Sequence, residues 1–446
     1  MSLKRTILKG TLILTATGFA TRFMGFFYRI FLSHTFGEEG VGLYQLIFPV
    51  YALGFSLTSA GIETALARCV AKRASTGKKK EARTLLFTGM ALSVSLSVLV
   101  MLLLQNYAEL IAARFLQEER CGSLLIILSY AFPFASVHSC IVGYYLGLKE
   151  TKIPAFSQLI EQLIRILSVY IFYLIGMKNG MKFGISIAVG GLIAGEIASS
   201  MFCLKIITRK AGCCQSLTKK IIRLPEYMKY AGELFWLSAP LTASRVLLNL
   251  LQSIEAVSIP LKLQSHGMTV SQSLSIYGVL TGMALPCVLF PSAITNSVST
   301  MLLPTVAEAQ TLNRRRQLRS IIQKSVCCCV LLGSLCCIFL LVTGQWIGLF
   351  IFNSRSAGDY IVTLAWMCPF LYANTTLISV INGIGKTVLS FFINTFSLIL
   401  RIFSVFYCIP VFGIEGYLLG LLASQLAAFL LCILYLSHYL RSPKNN

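Results

Sequence analysis

Apolar runs of about twenty residues recur along the whole chain, each long enough as a helix to cross roughly 30 Å of hydrocarbon. Twelve such runs can be read, centred near Ala20, Ala52, Ser95, Ala135, Leu167, Gly195, Arg245, Leu289, Leu332, Tyr372, Leu398 and Ala427. The pattern predicts an all-α polytopic membrane protein of about twelve transmembrane helices. The longest polar connection, from about Lys205 to Lys229, separates six spans from six. We therefore expect an N-terminal six-helix bundle at 1–207, a cytoplasmic linker at 208–230, a C-terminal six-helix bundle at 231–440 and a cytoplasmic tail at 441–446. Pro49, Pro133, Pro240, Pro286, Pro291 and Pro369 fall within spans. Each removes a backbone hydrogen bond and predicts a bend.

The two halves resemble each other at an offset of 236 residues. Gly42 aligns with Gly278, Ser56 with Ser292, Thr64 with Thr300, Val70 with Val306, Ala71 with Ala307 and Arg83 with Arg319. The triplet Lys78-Lys79-Lys80 falls on Arg314-Arg315-Arg316, at the same loop of each half. An even number of spans per half gives both halves one orientation. The expected architecture is a parallel repeat around a central cavity, an arrangement of transporters.

Composition narrows the class further. Apolar residues make up 56% of the chain and charged residues 12%, too little polar surface for an ordinary soluble domain. The net charge of +22 could suggest a nucleic-acid partner, but its placement does not. With the N-terminus inside, most of the 38 lysines and arginines fall at cytoplasmic ends and loops, the positive-inside asymmetry. The runs RCVAKRASTGKKKEAR and NRRRQLRS are then topology determinants, and both termini are expected in the cytoplasm. MSLKR and the apolar run after it carry no small-x-small cleavage site and are read as the first helix. Fifteen cysteines, including CCCVLLGSLCC from Cys327 to Cys337, show no CxxC spacing. They read as small apolar packing residues, with no metal or cofactor implied. His34, His266 and His438 fall at span ends or loops, and His138, within the fourth span, reads as a hydrogen-bonded packing residue.

Charge inside the spans carries the chemistry. Gly18, Arg22, Gly25 and Arg29 are spaced i, i+4, i+7 and i+11, one stripe on the first helix. A central arginine costs about 2.5–3.5 kcal/mol against lipid on the translocon scale, so the stripe should face water or protein. Arg245, Asn249 and Gln252 repeat the pattern on the seventh span. Guanidinium stays charged and its planar fork matches phosphate oxygens. Arg22, Arg29, Arg245, Asn249 and Gln252 are therefore the expected cavity residues for an anionic cargo. Glu161 and Arg165 stand i, i+4 and can neutralise each other. Glu196, Glu255 and Arg401 are further intramembrane charges, candidates for structural pairing or for coupling to a proton gradient, a sodium gradient or the membrane potential. No cofactor motif and no catalytic constellation is present, so transport is expected rather than catalysis. A membrane glycosyltransferase would need clustered acids or histidines at one face, and the outer acids Glu38, Glu39, Glu109, Glu118 and Glu119 are scattered. A scaffold that recruits cell-wall enzymes is the remaining class.

The segment LKGTLILTATGFATRFMGFFYRIFLSHTFGEEGVGLYQLIFPVY resembles the opening of the stage V sporulation protein B family. GYYLGLKETKIPAFSQLIEQLIRI is similar to that family's fourth-to-fifth-helix region. The likeness is dense over roughly the first 200 residues, through RxxGFxxR and GEEGVGLY, and looser beyond. It points to the polysaccharide-transporter branch of the superfamily that also holds MATE exporters and MurJ-type lipid II flippases. The resemblance implies two six-helix bundles in a V shape in the bacterial cytoplasmic membrane. It implies alternating-access movement of an undecaprenyl-pyrophosphate-linked saccharide, such as lipid II for spore cortex or cell wall, with cell-wall synthesis enzymes as further partners. Arg22, Arg29 and Arg245 look like counterparts of the cavity arginines of MurJ-type relatives. Members commonly carry two further C-terminal helices, whereas the twelfth span is the last one read here. The alternative is a MATE-like drug or cation antiporter, which wants a carboxylate in the early helices. The first helix has none within its span, and Glu63 lies at the cytoplasmic end of the second.

Overall fold

The computed structural model describes residues 3–180, 184–211, 224–311 and 315–441. Most of the 208–230 linker, the tail beyond 441 and Arg314 of the second basic triplet lie outside the described residues. All regular elements among the described residues are helical. Nine of these segments are long and apolar enough to cross a membrane, and two bent helix pairs qualify as single spans. The longest segment runs 63 residues, from Ile13 to Ser75. At about 1.5 Å per residue that is roughly 95 Å, three hydrocarbon thicknesses, so it holds the first two predicted spans together. The remaining ten spans each fall on one of the other segments or pairs.

Contacts divide the chain into two units, Met1–Gly25 with Leu46–Ser253, and Phe26–Gln45 with Ile254–Asn446. The division falls inside α1 (Leu3–Leu46) and inside α9 (Leu224–Ser265), the first and seventh predicted spans. The first unit further contains α2 (Phe48–Phe55), α3 (Gly61–Ser75), α4 (Lys79–Leu110), α5 (Cys121–Ser129), α6 (Ala131–Gly147), α7 (Lys152–Lys178) and α8 (Ser186–Ala211). Here α6 packs against α3, α4 and α8, and α7 lies along α8. Leu66, Leu85, Ile141 and Cys203 form part of the core between them.

The second unit contains α10 (Val270–Gly278), α11 (Leu285–Leu289), α12 (Ser292–Thr311), α13 (Arg315–Trp346), α14 (Arg355–Ala365), α15 (Cys368–Gly383), α16 (Thr387–Tyr407), α17 (Ile409–Phe412) and α18 (Ile414–Arg441). Helix α15 is central, touching α12, α13 and α18, while α16 lies along α18. Val306, Leu377, Val380 and Cys432 fill that core. Leu331, Leu335, Ile338, Phe339 and Val342 of α13 stay exposed at helical spacing. Such a face is stable only against lipid.

The bends have local causes. Pro49, Pro133, Pro286 and Pro369 fall in the first turns of α2, α6, α11 and α15, and Pro291 directly precedes α12. In a first turn the missing N–H breaks no helical bond. The axes turn by 43° between α5 and α6, and by 56° between α14 and α15. Gly37 interrupts α1 with φ 69° and ψ 179°, a backbone that only glycine adopts freely. Pro240 alone of the six lies in a helix interior, that of α9.

The repeat is written into the elements. Helices α4 and α13 each span 32 residues and each ends in a π-helical turn, Ile111–Leu116 and Ile347–Ile351. Gln117 and Asn353 follow with φ of 51° and 53°, and Lys149 and Gly385 with φ of 61° and 85°. All these pairs keep the 236-residue offset. The aligned glycines Gly42 and Gly278 meet each other within the second unit. A Cβ on Gly42 would lie 2.1 Å from Leu274 O, and one on Gly278 only 2.5 Å from Gly42 N.

Candidate functional site

Two further π-helical turns, Ser56–Ala60 and Val279–Ala284, explain where two of the arginines go. A π turn shifts the ladder from i→i−4 to i→i−5 and leaves a carbonyl without a helical donor. In the first unit Arg245 Nη1 donates to Ala60 O at 2.9 Å, and Nη2 to Thr64 Oγ1 at 3.0 Å. One helical turn on, Asn249 Nδ2 donates to Ala52 O at 3.3 Å and to Ser56 Oγ. Ser253 Oγ lies 3.3 Å from Pro49 O and continues the row. On the seventh span the row of contacts is Arg245, Asn249 and Ser253, at i, i+4 and i+8 and not the expected i, i+4 and i+7. Gln252 is exposed beside it.

Arg22 is exposed on the first unit's part of α1. The flanking glycines do leave room: a Cβ on Gly18 would meet nothing within 4 Å, and one on Gly25 only Gln162 Nε2 at 3.4 Å. In the second unit Arg29 Nη1 donates to Thr281 O at 3.1 Å, inside the Val279–Ala284 π turn. Arg29 and Arg245 therefore hold equivalent kinds of partner, neutral oxygens at π turns.

The remaining intramembrane charges pair off. Arg165 binds Glu161 Oε1 along one face of α7, as their spacing predicts. Arg401 forks onto Glu255, with Nε to Oε1 and Nη2 to Oε2 both at 2.6 Å. Tyr417 adds its hydroxyl to Glu255 Oε1 at 2.7 Å. Glu255 is 2% exposed, so this is a buried ion pair with a third donor.

Glu196 accepts from the Tyr51 hydroxyl at 3.0 Å. Its other oxygen lies 3.6 Å from His138 Nδ1, and Glu161 Oε2 lies 3.8 Å from the same nitrogen. Nothing in the sequence marks Tyr51 or Tyr417, and along its own helix His138 reads as a packing residue. Each has partners on other helices, which periodicity along one helix does not reveal.

The family model for polysaccharide biosynthesis proteins matches residues 7–310. Stage V sporulation protein B of Bacillus subtilis (strain 168) is 27% identical over 393 residues, covering 86% of this chain and 74% of that protein. Among solved structures, the lipid II flippase MurJ in its inward closed conformation superposes with a TM-score of 0.73 at 15% identity, over 96% of this chain and 87% of that one. An inward-facing multidrug resistance MATE family transporter of the MOP superfamily gives 0.70 at 14% identity, over 98% and 97%. A family match over more than half of the chain, on a fold shared with the MOP superfamily, leads to one conclusion: this chain belongs to the polysaccharide biosynthesis protein family of multi-pass membrane proteins.

Proposed function

We propose that this protein is a flippase. It moves an undecaprenyl-pyrophosphate-linked saccharide, a peptidoglycan precursor such as lipid II, across the bacterial cytoplasmic membrane by alternating access, with both termini cytoplasmic. The observation that carries the reading is the relation to stage V sporulation protein B over most of the chain. The arginine chemistry supports it. Arg29 and Arg245 donate to neutral oxygens, which orient a guanidinium without cancelling its charge. Together with Arg22 they offer counter-charge and forked donors for a pyrophosphate. No covalent bond changes in such a cycle, so the work is binding and reorientation.

Lipid II flipping in proteoliposomes tests the proposal. The variants are Arg22→Ala and Arg245→Gln, the second keeping a donor for Ala60 O while removing the charge. Flipping should fall at least tenfold in each at unchanged protein incorporation. Wild type that moves neither lipid II nor another prenyl-pyrophosphate glycan would refute it. A MATE-like cation exporter is the second reading, since the chain shares its fold with a MATE family transporter as well. Efflux of a cationic dye by wild type, with no prenyl-pyrophosphate transport, would establish it instead.

A further inference from the structure

Three side chains of the first unit, on α6, α7 and α8, aim one polar atom each at a common point. His138 Nε2 lies 3.0 Å from Ser157 Oγ. Ser157 donates its single hydroxyl hydrogen to Pro154 O at 2.9 Å, so towards the imidazole it can only accept. Nε2 therefore carries a hydrogen, and the neutral ring presents Nδ1 as a lone pair. Glu161 spends Oε1 on Arg165, and Glu196 spends Oε1 on Tyr51. His138, Glu161 and Glu196 each offer one ligand atom within 4.8 Å of the other two, and both Oε2 oxygens left over lie within 3.8 Å of His138 Nδ1. Glu196 Oε2 is buried without a hydrogen-bond partner, on a side chain 8% exposed. Three lone pairs face each other, an arrangement that needs positive charge at its centre.

The distances decide which kind. A proton shared between Nδ1 and a carboxylate would draw them to about 2.7–2.9 Å, whereas the separations are 3.6 and 3.8 Å. Ligands bound to one ion at about 2.0–2.2 Å in tetrahedral geometry stand roughly 3.4 Å apart. The two separations from Nδ1 sit near that spacing. One imidazole nitrogen with two carboxylate oxygens suits first-row transition metals better than sodium or magnesium, which prefer all-oxygen shells.

We propose that His138 Nδ1, Glu161 Oε2 and Glu196 Oε2 bind one divalent transition-metal ion, with zinc well matched, and leave a fourth coordination position open. The metal balances both carboxylates. The residual positive charge then rests on Arg165, whose side chain is 17% exposed and whose guanidinium is more weakly hydrated than an ammonium. Without the metal the residual charge is negative and rests on Glu196, which is more deeply buried. Ser157, Tyr51 and Arg165 hold the three ligands in orientation, as outer partners do at metal sites. Among the described residues this is the one group of three or more His, Cys, Asp or Glu side chains placed to hold an ion. The inference does not rest on the flippase reading.

The test is metal binding by the full chain, purified in detergent and stripped with a chelator. Zinc titration should give one tight site per chain. Cobalt(II) at that site should show the d–d absorption of a nitrogen–oxygen shell without a sulfur-to-cobalt charge-transfer band, which separates it from cysteine binding. His138→Ala and the near-isosteric Glu196→Gln should each weaken zinc at least 100-fold. Ser157→Ala, which removes only the acceptor for Nε2–H, should weaken it about 10-fold, the lower end for an outer partner. Absence of zinc above background overturns the proposal. So does a cobalt spectrum dominated by thiolate, or binding unchanged in a Glu196→Gln chain that elutes from gel filtration like wild type.

Discussion

Replacing Arg401 by leucine should destabilise the second unit far more than losing an exposed ion pair would. The glutamate it serves is 2% exposed and receives three hydrogen bonds, two from Arg401 and one from Tyr417. Arg401→Leu strips two of the three and leaves a carboxylate in apolar surroundings with one phenol donor. Breaking a buried pair from one side typically costs about 3–5 kcal/mol, because the abandoned charge keeps its desolvation penalty. For a body of some 200 residues, about 2–4 °C of apparent melting temperature follows each kcal/mol. The expected drop is therefore roughly 6–20 °C. Thermal unfolding in detergent, followed by intrinsic fluorescence at one fixed scan rate, is the assay, since such unfolding is governed by rate. The double variant Arg401→Leu, Glu255→Gln removes the stranded charge and should recover most of the loss. The reasoning is refuted if Arg401→Leu melts within about 2 °C of wild type. It is equally refuted if the double variant is no more stable than the single one.

Gly42→Leu should prevent stable accumulation in membranes, since its Cβ alone would sit 2.1 Å from Leu274 O; Gly18→Ala, with nothing within 4 Å, should accumulate like wild type, as immunoblots of membranes would show. Arg73→Ala removes a two-pronged contact to Glu233 and a second pair with Glu81 at 3.4 Å, but these acids are 37% and 35% exposed, so the loss should be about 1 kcal/mol and shrink further in high salt. Arg73→Lys should not restore it, because a lysine cannot reproduce the fork; both variants are read by the same melting assay. Tyr417→Phe should cost about 1.5–3 kcal/mol, the range for a hydrogen bond to a charged group, clearly less than Arg401→Leu.

The spans were legible because lipid imposes a length and a composition that short windows can detect. Bends were legible at Pro133 and Pro369 because proline acts on its own backbone. The repeat was visible at Gly42 and Gly278, where close backbone approach excludes any side chain in both copies. Arg245 and Asn249 of the expected stripe share a row of contacts, and Ser253 stands in that row where Gln252 was expected. Pairings between helices were not legible. Glu255 and Arg401 are 146 residues apart, and nothing along either helix marks them as partners. Nor does the fourth span announce that His138 meets Glu161 and Glu196, because that meeting depends on how α6, α7 and α8 pack.

The structure sorts the intramembrane arginines by what cancels their charge, and that sorting bears on mechanism. Arg165 and Arg401 each sit on a carboxylate, so with no metal beside Glu161 their field at a distance is largely cancelled. Arg29 and Arg245 donate to oxygens that π turns or hydroxyls supply, and Glu63 lies within electrostatic reach of Arg245 and offsets only part of its charge. A carbonyl holds a guanidinium in place through its dipole but leaves the net charge intact. Keeping a net positive charge in a low-dielectric region is unfavourable, by about 2.5–3.5 kcal/mol per arginine at a span centre. Pairing with an acid would relieve it, as the same chain does twice elsewhere. An anionic cargo would relieve it too, and only while bound. On this argument an added acid should abolish transport without unfolding the protein: Thr64→Glu, placed where Arg245 Nη2 now donates, would neutralise Arg245. Melting should be unchanged or higher, and lipid II flipping should fall at least tenfold. Full flipping by a stable Thr64→Glu protein would show that the Arg245 charge is not used by the cargo.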